Sequence, residues 1–300
     1  MLKKNGWYII LCLGIVLLAA ILFFTYRYAK GVQQVNKEVQ DTTQRALENS
    51  KEAVKMAMTI KPKEEEKKPK SVEGVIPIFM YHFVGEDPGQ NPYPENVVKT
   101  SMLDQQLKYL KENNYDTIFV TDLKELHRYE KPVALTFDDG FLDVYVNAFP
   151  LLKQYQLKAS MYVVNEFIGT PGYCGVEQLK EMQDSGLVSI EAHTVSHNRL
   201  ATLSASRIET ELADSKAYIK QHFDKDSTVL CYPYGSYNNT VIDIAKKYYD
   251  YALAMDGGVY DTKKHKNLYE IPRIYANRSM SLNAFINYCK TANVKVEWEN

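Results

Sequence analysis

The sequence predicts an α/β fold: a distorted (β/α) barrel, complete or incomplete, preceded by a single N-terminal transmembrane helix. Three observations carry this expectation. An almost unbroken apolar run opens the chain between Trp7 and Phe24. From Val75 onward, short runs rich in β-branched and aromatic residues alternate with amphipathic stretches, the pattern of parallel strands joined by helical crossovers. Seven or eight such strands fall within about 225 residues, enough to curl a sheet toward closure.

Composition narrows the class. Of 300 residues, 45% are apolar and 24% charged, which excludes a wholly disordered or collagen-like chain. The formal net charge of −1 gives no reason to expect a nucleic-acid partner. It is, however, a sum of unlike parts. Residues 1–74 hold 13 Lys+Arg against 8 Asp+Glu, and residues 75–300 hold 23 against 29. Of four cysteines, Cys12 lies in the apolar run. Cys174, Cys231 and Cys289 cannot complete a disulfide framework, and no CxxC is present, so free or buried thiols are expected, with one disulfide left open.

The elements follow in order. Residues 1–6 read as a cytoplasmic N-terminus. Residues 7–28 read as a membrane anchor: Trp7 to Tyr26 spans about 30 Å as a helix, and Trp7, Tyr8, Tyr26 and Tyr28 sit at interfacial positions. A cleaved signal peptide competes, but the bulky residues after the run make a poor cleavage site. Residues 29–74 are polar and highly charged and read as a spacer, with a short stalk helix between Asp41 and Met58 as the other reading. Residues 75–300 form the folded domain. Strands are expected at Val75–Tyr81, Thr117–Val120, Val133–Phe137, Ala159–Val164, Val188–Ala192, Thr228–Cys231, Tyr251–Ala254 and Glu270–Ile274. Helices are expected at Ser101–Glu112, Thr121–Arg128, Phe141–Tyr155 (broken or kinked at Pro150), Val176–Ser185, Ser204–His222, Asn239–Tyr248 and Ser281–Cys289. Ser204 and Ser281 suit N-caps, and Gly186 suits a helix stop.

Two strand ends carry chemistry. One runs Thr136-Phe137-Asp138-Asp139-Gly140. Adjacent carboxylates repel unless a cation or proton separates them, although Asp-Asp-Gly alone is also a good turn. The other runs His193-Thr194-Val195-Ser196-His197. If those five residues form one helical turn, both imidazoles face one point. Two His and one Asp make a common open metal site with positions left for water and substrate. At the ends of two parallel strands in one domain, the two motifs together favour a metal centre.

These residues resemble the first two motifs of the polysaccharide deacetylases, the NodB-like carbohydrate esterases. Tyr232-Pro233-Tyr234-Gly235 resembles the core of the third motif, and the resemblance spans roughly residues 75–280. It implies a distorted β/α barrel that removes acetyl groups from N-acetylated sugars. It further implies that Asp139, His193 and His197 bind a divalent metal, with zinc the first choice, and that Asp138 is the general base. A backbone N–H in the third motif, here that of Tyr234, would help hold the oxyanion, with Tyr232, Pro233 and Tyr234 on the substrate side. The packing of Tyr234 on Pro233 is the simpler alternative.

The chain departs from the family pattern twice. An Arg is common two positions before the motif-three Pro, where Cys231 stands here. A C-terminal Leu-x-His that supplies the general acid is common too, yet no His follows His265. Substitutes are visible. His82, in Tyr81-His82 at the first strand end, resembles the early His taken as the acid in poly-β-1,6-N-acetylglucosamine deacetylases. Arg273, also grouped with the substrate-side residues, either pairs with Asp138 or forms a surface ion pair.

The expected protein is therefore a single-pass, extracytoplasmic N-deacetylase of N-acetylglucosamine residues in a bacterial cell-wall or surface polysaccharide. Its expected partners are that glycan and the membrane, with no nucleic acid and no evident protein partner. An inactive glycan-binding protein of the same fold and an O-acetyl esterase are the alternatives.

Overall fold

The computed structural model describes residues 69–89, 91–299 and most of 25–51. The chain divides into two units, Met1–Lys67 and Lys68–Asn300. In the first unit, the described residues between 25 and 51 are helical and exposed, where the sequence favours a spacer. The expected anchor at 7–28 lies almost wholly outside the described residues, as do Val54 and Met58 of the expected stalk. Among the described residues no helix is long and apolar enough to cross a membrane.

The second unit opens with β1 (Pro69–Ile76) and β2 (Ile78–Tyr81), where one strand from Val75 was expected. Pro77 divides them because it has no N–H for a ladder. β1 pairs antiparallel with β11 (Tyr260–Asp261) and β13 (Asn293–Trp298), while β2 enters the main sheet. The sequence did not announce β13, whose Lys295 and Glu297 leave it half exposed. Next come β3 (Phe83–Val84), β4 (Val97–Val98), α1 (Thr100–Glu112), β5 (Asp116–Ile118) and β6 (Pro132–Phe137). Then follow α2 (Phe149–Tyr155), β7 (Ala159–Val163), α3 (Val176–Asp184), β8 (Val188–Ala192), α4 (Ala205–Phe223), β9 (Val229–Cys231), α5 (Asn239–Ala245) and β10 (Tyr251–Leu253). β12 (Ile274–Tyr275) and α6 (Leu282–Cys289) come last.

The main sheet has eight strands, ordered β10-β9-β8-β7-β6-β2-β12, with β5 beside the start of β6, and every pair in it is parallel. It curls until its edges approach, where one bridge, Leu253–Ile271, joins β10 to the chain entering β12. The expected strand Glu270–Ile274 shrinks to that bridge and β12 because Pro272 interrupts the ladder. The result is the expected distorted barrel in its incomplete form.

Alternation along the strands sorts side chains between two hydrophobic clusters, and a third gathers Ala192, Leu230 and Ala252 with Leu212 of α4 and Val241 of α5. Ile78, Ala134, Tyr162, Cys231, Leu253 and Ile271 face the inside of the curl. Phe79, Leu135, Phe137, Met161 and Ile190 face outward against α1, α2 and α4 through Leu107, Phe149 and Ile219. Ser204 Oγ accepts from Arg207 N and caps α4; Ser281 Oγ accepts from Ala284 N and caps α6. Gly186 follows α3 at φ +72°. The expected helix Phe141–Tyr155 is a π-turn at Val144–Ala148 followed by α2, with Pro150 in the first turn of α2, where a missing N–H costs least. Thr121–Arg128 is instead a 3-10 segment, Val120–Arg128. Cys174, Cys231 and Cys289 are free and buried.

Candidate active site

The C-terminal ends of the parallel strands converge on a cavity of about 470 Å³. His82 follows β2, Asp138 and Asp139 follow β6, His193 follows β8, and Tyr232 to Gly235 follow β9. These are the positions where a parallel α/β sheet gathers functional side chains.

Asp138 and Arg273 lie deepest. Arg273 is 0% exposed and donates from Nη1 to Oδ1 and from Nη2 to Oδ2 of Asp138, each at 2.8 Å. Its remaining donors reach Ala254 O at 3.1 Å, Thr136 Oγ1 at 3.1 Å and Cys231 Sγ at 3.0 Å. Burial alone would raise the Asp138 carboxyl. The guanidinium outweighs it and holds the carboxyl below its usual range. Arg273 thus forms a buried pair rather than a surface one. It offers no area to a ligand, which corrects its grouping with the substrate-side residues.

Asp139 Oδ1 lies 3.3 Å from His193 Nε2 and 3.1 Å from His197 Nε2. The three ligand atoms lie within 4.8 Å of one another. His193 Nδ1 sits 2.7 Å from Cys231 O, so it donates there and turns the Nε2 lone pair toward Asp139. Among the described residues Asp139 Oδ1 has no aligned hydrogen-bond donor despite its burial. Three acceptor-bearing atoms this close together fit a divalent cation. Burial works against charge on Asp139, but the imidazoles in contact with it win, and the carboxyl is held far below its usual range.

A second group, Asp138, His193 and Cys231, also clusters. It suits a cation less well. Arg273 already engages Asp138, and burial pushes the Cys231 thiol up, away from the thiolate a metal needs.

Residues 193–197 do not form a helical turn. The segment is a loop with Thr194 at φ +69° and His197 at φ +57°, left-handed positions that cost a non-glycine residue. Glu211, buried on α4, holds the loop. Its carboxylate accepts from Val195 N at 3.0 Å, Ser196 N at 2.9 Å and Ser196 Oγ at 2.5 Å. Arg207 Nη2 donates to it at 3.0 Å, and Thr194 Oγ1 accepts from His197 N at 3.1 Å. The convergence of the imidazoles is therefore a product of Glu211 and two strained residues. The sequence reading missed Glu211, whose one signal was an acid on the apolar face of α4, beside Leu212.

His82 lines the cavity, and its Nδ1 is buried with no hydrogen-bond partner among the described residues. Burial lowers its pKa, and Asp138 and Asp139 recover only part of the loss. Tyr232 and Pro233 are buried, and Tyr232 stacks on Tyr237 with centroids 5.0 Å apart. Tyr234 is 50% exposed and sits at φ +59°. As second residue of a one-turn 3-10 helix, its N–H has no acceptor within that turn. Its ring stands 4.6 Å from that of His197, so it faces the site and does not merely pack on Pro233. Gly235, at φ +61°, lies where a Cβ would meet Met255 Cβ at 2.9 Å. The sequence reading also missed an aromatic wall of stacked Phe83 and Phe141, with Tyr173 and Phe167 beyond.

The polysaccharide deacetylase family profile matches residues 126–251. YxkH of Bacillus subtilis (strain 168), a protein named for the same family, is 30% identical over 222 residues, covering 72% of this chain and 76% of the relative. The chain belongs to the polysaccharide deacetylase family. The poly-beta-1,6-N-acetyl-D-glucosamine N-deacetylase of Staphylococcus aureus (strain MSSA476) is 30% identical over 198 residues, covering 59% of this chain and 67% of that one. The Streptococcus pyogenes deacetylase PplD, solved in complex with acetate, superposes with a TM-score of 0.67 at 28% identity, covering 74% of this chain and 99% of that one. In this polysaccharide deacetylase the guanidinium reaches Asp138 from Arg273 on the strand edge, while Cys231 occupies the motif-three position and touches the same carboxylate at 3.4 Å.

Proposed function

We propose that this polysaccharide deacetylase is a metal-dependent hydrolase that removes N-acetyl groups from N-acetylglucosamine residues of a bacterial cell-wall or surface polysaccharide, held at the membrane by its N-terminal segment with the catalytic domain outside. One observation carries the chemistry: Asp139, His193 and His197 converge on one point beside an ionised, buried Asp138.

A divalent ion, zinc by the donor set, would be held by Asp139, His193 and His197 and would supply Lewis acidity toward the amide carbonyl and an acidified water. The rest belongs to the chain. Asp138 accepts the proton of the attacking water on a lone pair that Arg273 leaves free, and Arg273 fixes its orientation and keeps it ionised. The N–H of Tyr234 donates to the oxygen that gains charge. His82 opens to the same cavity and protonates the departing amine nitrogen, without which the C–N bond breaks poorly. The aromatic wall gives sugar rings an apolar face to stack on.

The alternative of an inactive binding protein rested on a missing arginine and a missing histidine. Arg273 pairs with Asp138 and His82 lines the same cavity, and this supports the enzyme reading. Acetate release from N-acetylated glycans, with the product amine assayed in parallel, tests the reading. Acetate with free amine supports it, acetate with free hydroxyl favours the O-acetyl esterase, and unchanged release by Asp138→Asn removes the base assignment.

A further inference from the structure

We propose that Arg199 makes this site selective for a glycan bearing an anion, a carboxylate or a phosphate ester, on or next to the N-acetylated sugar. The proposal rests on the deacetylase reading above and names the substrate class of the same cavity.

Arg199 lines the cavity that holds Asp138, Asp139, His193 and His197, and its side chain is exposed to it. Its Cζ stands 4.2 Å over the Tyr234 ring, whose other neighbour is His197 at 4.6 Å. The guanidinium is therefore one ring away from the ligand triad. The rest of the cavity wall is imidazole, carboxylate, aromatic, Asn96 and Met255, so among the described residues Arg199 is the one Lys or Arg side chain on it.

Its charge is not spent within the protein. Arg128 pairs with Glu125, Arg207 with Glu211 and Arg273 with Asp138, and Arg278 donates to Val97 O and Glu86 O. Arg199 has no such partner among the described residues. The contact with Tyr234 is made through the ring face and engages none of the forked N–H donors in a hydrogen bond. That fork matches the two oxygens of a carboxylate or phosphate.

The backbone that carries the arginine is held in place. It caps the 3-10 turn Leu200–Thr202 and accepts at its carbonyl from Thr202 N at 3.0 Å. The preceding loop is tied to Glu211, and Asn198 Nδ2 donates to Ser196 Oγ at 2.7 Å. A cation carried on an anchored backbone at the cavity wall gains little from a neutral sugar and much from an anion, because charge-assisted hydrogen bonds are roughly twice as strong as neutral ones. The competing role, a brace for Tyr234, predicts no substrate selectivity.

The two roles separate by experiment. Acetate release is measured for wild type, Arg199→Gln and Arg199→Lys on three glycans: a neutral N-acetylglucosamine oligomer, a strand alternating with a 3-O-lactyl sugar, and an oligomer carrying a phosphodiester. Direct binding of the same three is measured by calorimetry, which does not depend on turnover. The expected result is a wild-type preference for one anionic glycan, seen in KM and in Kd. That anionic-to-neutral ratio falls roughly 10–100-fold in Arg199→Gln and is partly kept in Arg199→Lys. Whichever anionic glycan shows the loss identifies the source of the anion. A ratio unchanged by Arg199→Gln, or no wild-type preference in binding, overturns the proposal. Absence of acetate release from all three, with the binding preference present, overturns the deacetylase reading and leaves the anion site standing.

Discussion

Asp138 and Arg273 stand 135 residues apart in sequence and meet in a two-pronged, fully buried ion pair. The pair explains how Cys231 can occupy the position where an arginine is common. The guanidinium enters from the residue just before β12, not from β9, and delivers its fork to the same carboxylate. Cys231 is small enough to leave room for it, with Sγ 3.0 Å from Nη2.

Arg273→Ala is expected to reduce both stability and rate. It leaves the Asp138 carboxylate buried without its cation, which typically costs about 3–5 kcal/mol. The carboxyl pKa then rises, because burial loses its main opponent and only His193 and His82 still act against it, so the base is protonated over more of the pH range. Arg273→Lys keeps the charge and loses the fork, so its stability falls less while its rate still drops. Urea denaturation and acetate release measured together check both halves. An Arg273→Lys enzyme with wild-type rate contradicts the orienting role.

His82→Gln is expected to lower kcat by roughly 100-fold or more, in the range of a lost general acid, without changing metal affinity. The separation matters because His82 Nδ1 has no partner in the fold among the described residues, so the substitution removes a proton donor and little else. Substrates with more acidic leaving groups recover most of the rate if His82 is the acid. Metal content by atomic absorption, read beside kcat on both substrate types, tests this.

Removal of the divalent ion by a chelator is expected to abolish acetate release and leave the fold intact, since β6 and β8 are held by their ladders and the hydrophobic clusters. Glu211→Gln is expected to weaken metal binding roughly 10–100-fold, the usual size of an outer-sphere effect. Glu211 touches no ligand atom. It fixes Val195 and Ser196, between the two histidines, and a single amide oxygen cannot replace both carboxylate oxygens there. Zinc affinity by competition with a chromophoric chelator is the measurement. Affinity equal to wild type with lower melting temperature would assign Glu211 to the fold alone.

Much of the site was legible because chemistry at strand ends leaves a local mark. An apolar run into Asp138-Asp139, and another into His193, need no tertiary information to be seen. What stayed hidden depends on distant partners. Nothing local tells Arg273 from a surface arginine; its burial follows from Ala254, Thr136 and Cys231 closing around it. The i, i+4 spacing of His193 and His197 permits a turn of helix, whereas the loop conformation is imposed by Glu211 from α4. In the fold, prolines set the errors: Pro77 split the first strand, and Pro272 reduced the last to a bridge and two residues. β13 was missed because its charged, half-exposed alternation carries too little apolar signal.

Asp143 gives the last prediction, for stability against pH. It follows the Asp-Asp-Gly turn, and its Oδ1 is buried with no hydrogen-bond partner among the described residues. Burial pushes its carboxyl up to about 7, against backbone N–H contacts from Val84 and Val144 that only partly offset it. The folded state then holds a proton that the unfolded chain releases near the ordinary value of 3.8. Between those two values the native state binds more protons, so stability falls as pH rises and the loss is complete above about 7. A displacement of that size corresponds to at most about 4 kcal/mol. Asp143→Asn carries no titrating proton and should match wild type near pH 4 and exceed it at pH 8. Thermal unfolding of both proteins across that range decides it. Parallel curves for wild type and variant would mean that Asp143 is ionised in the fold with its charge solvated.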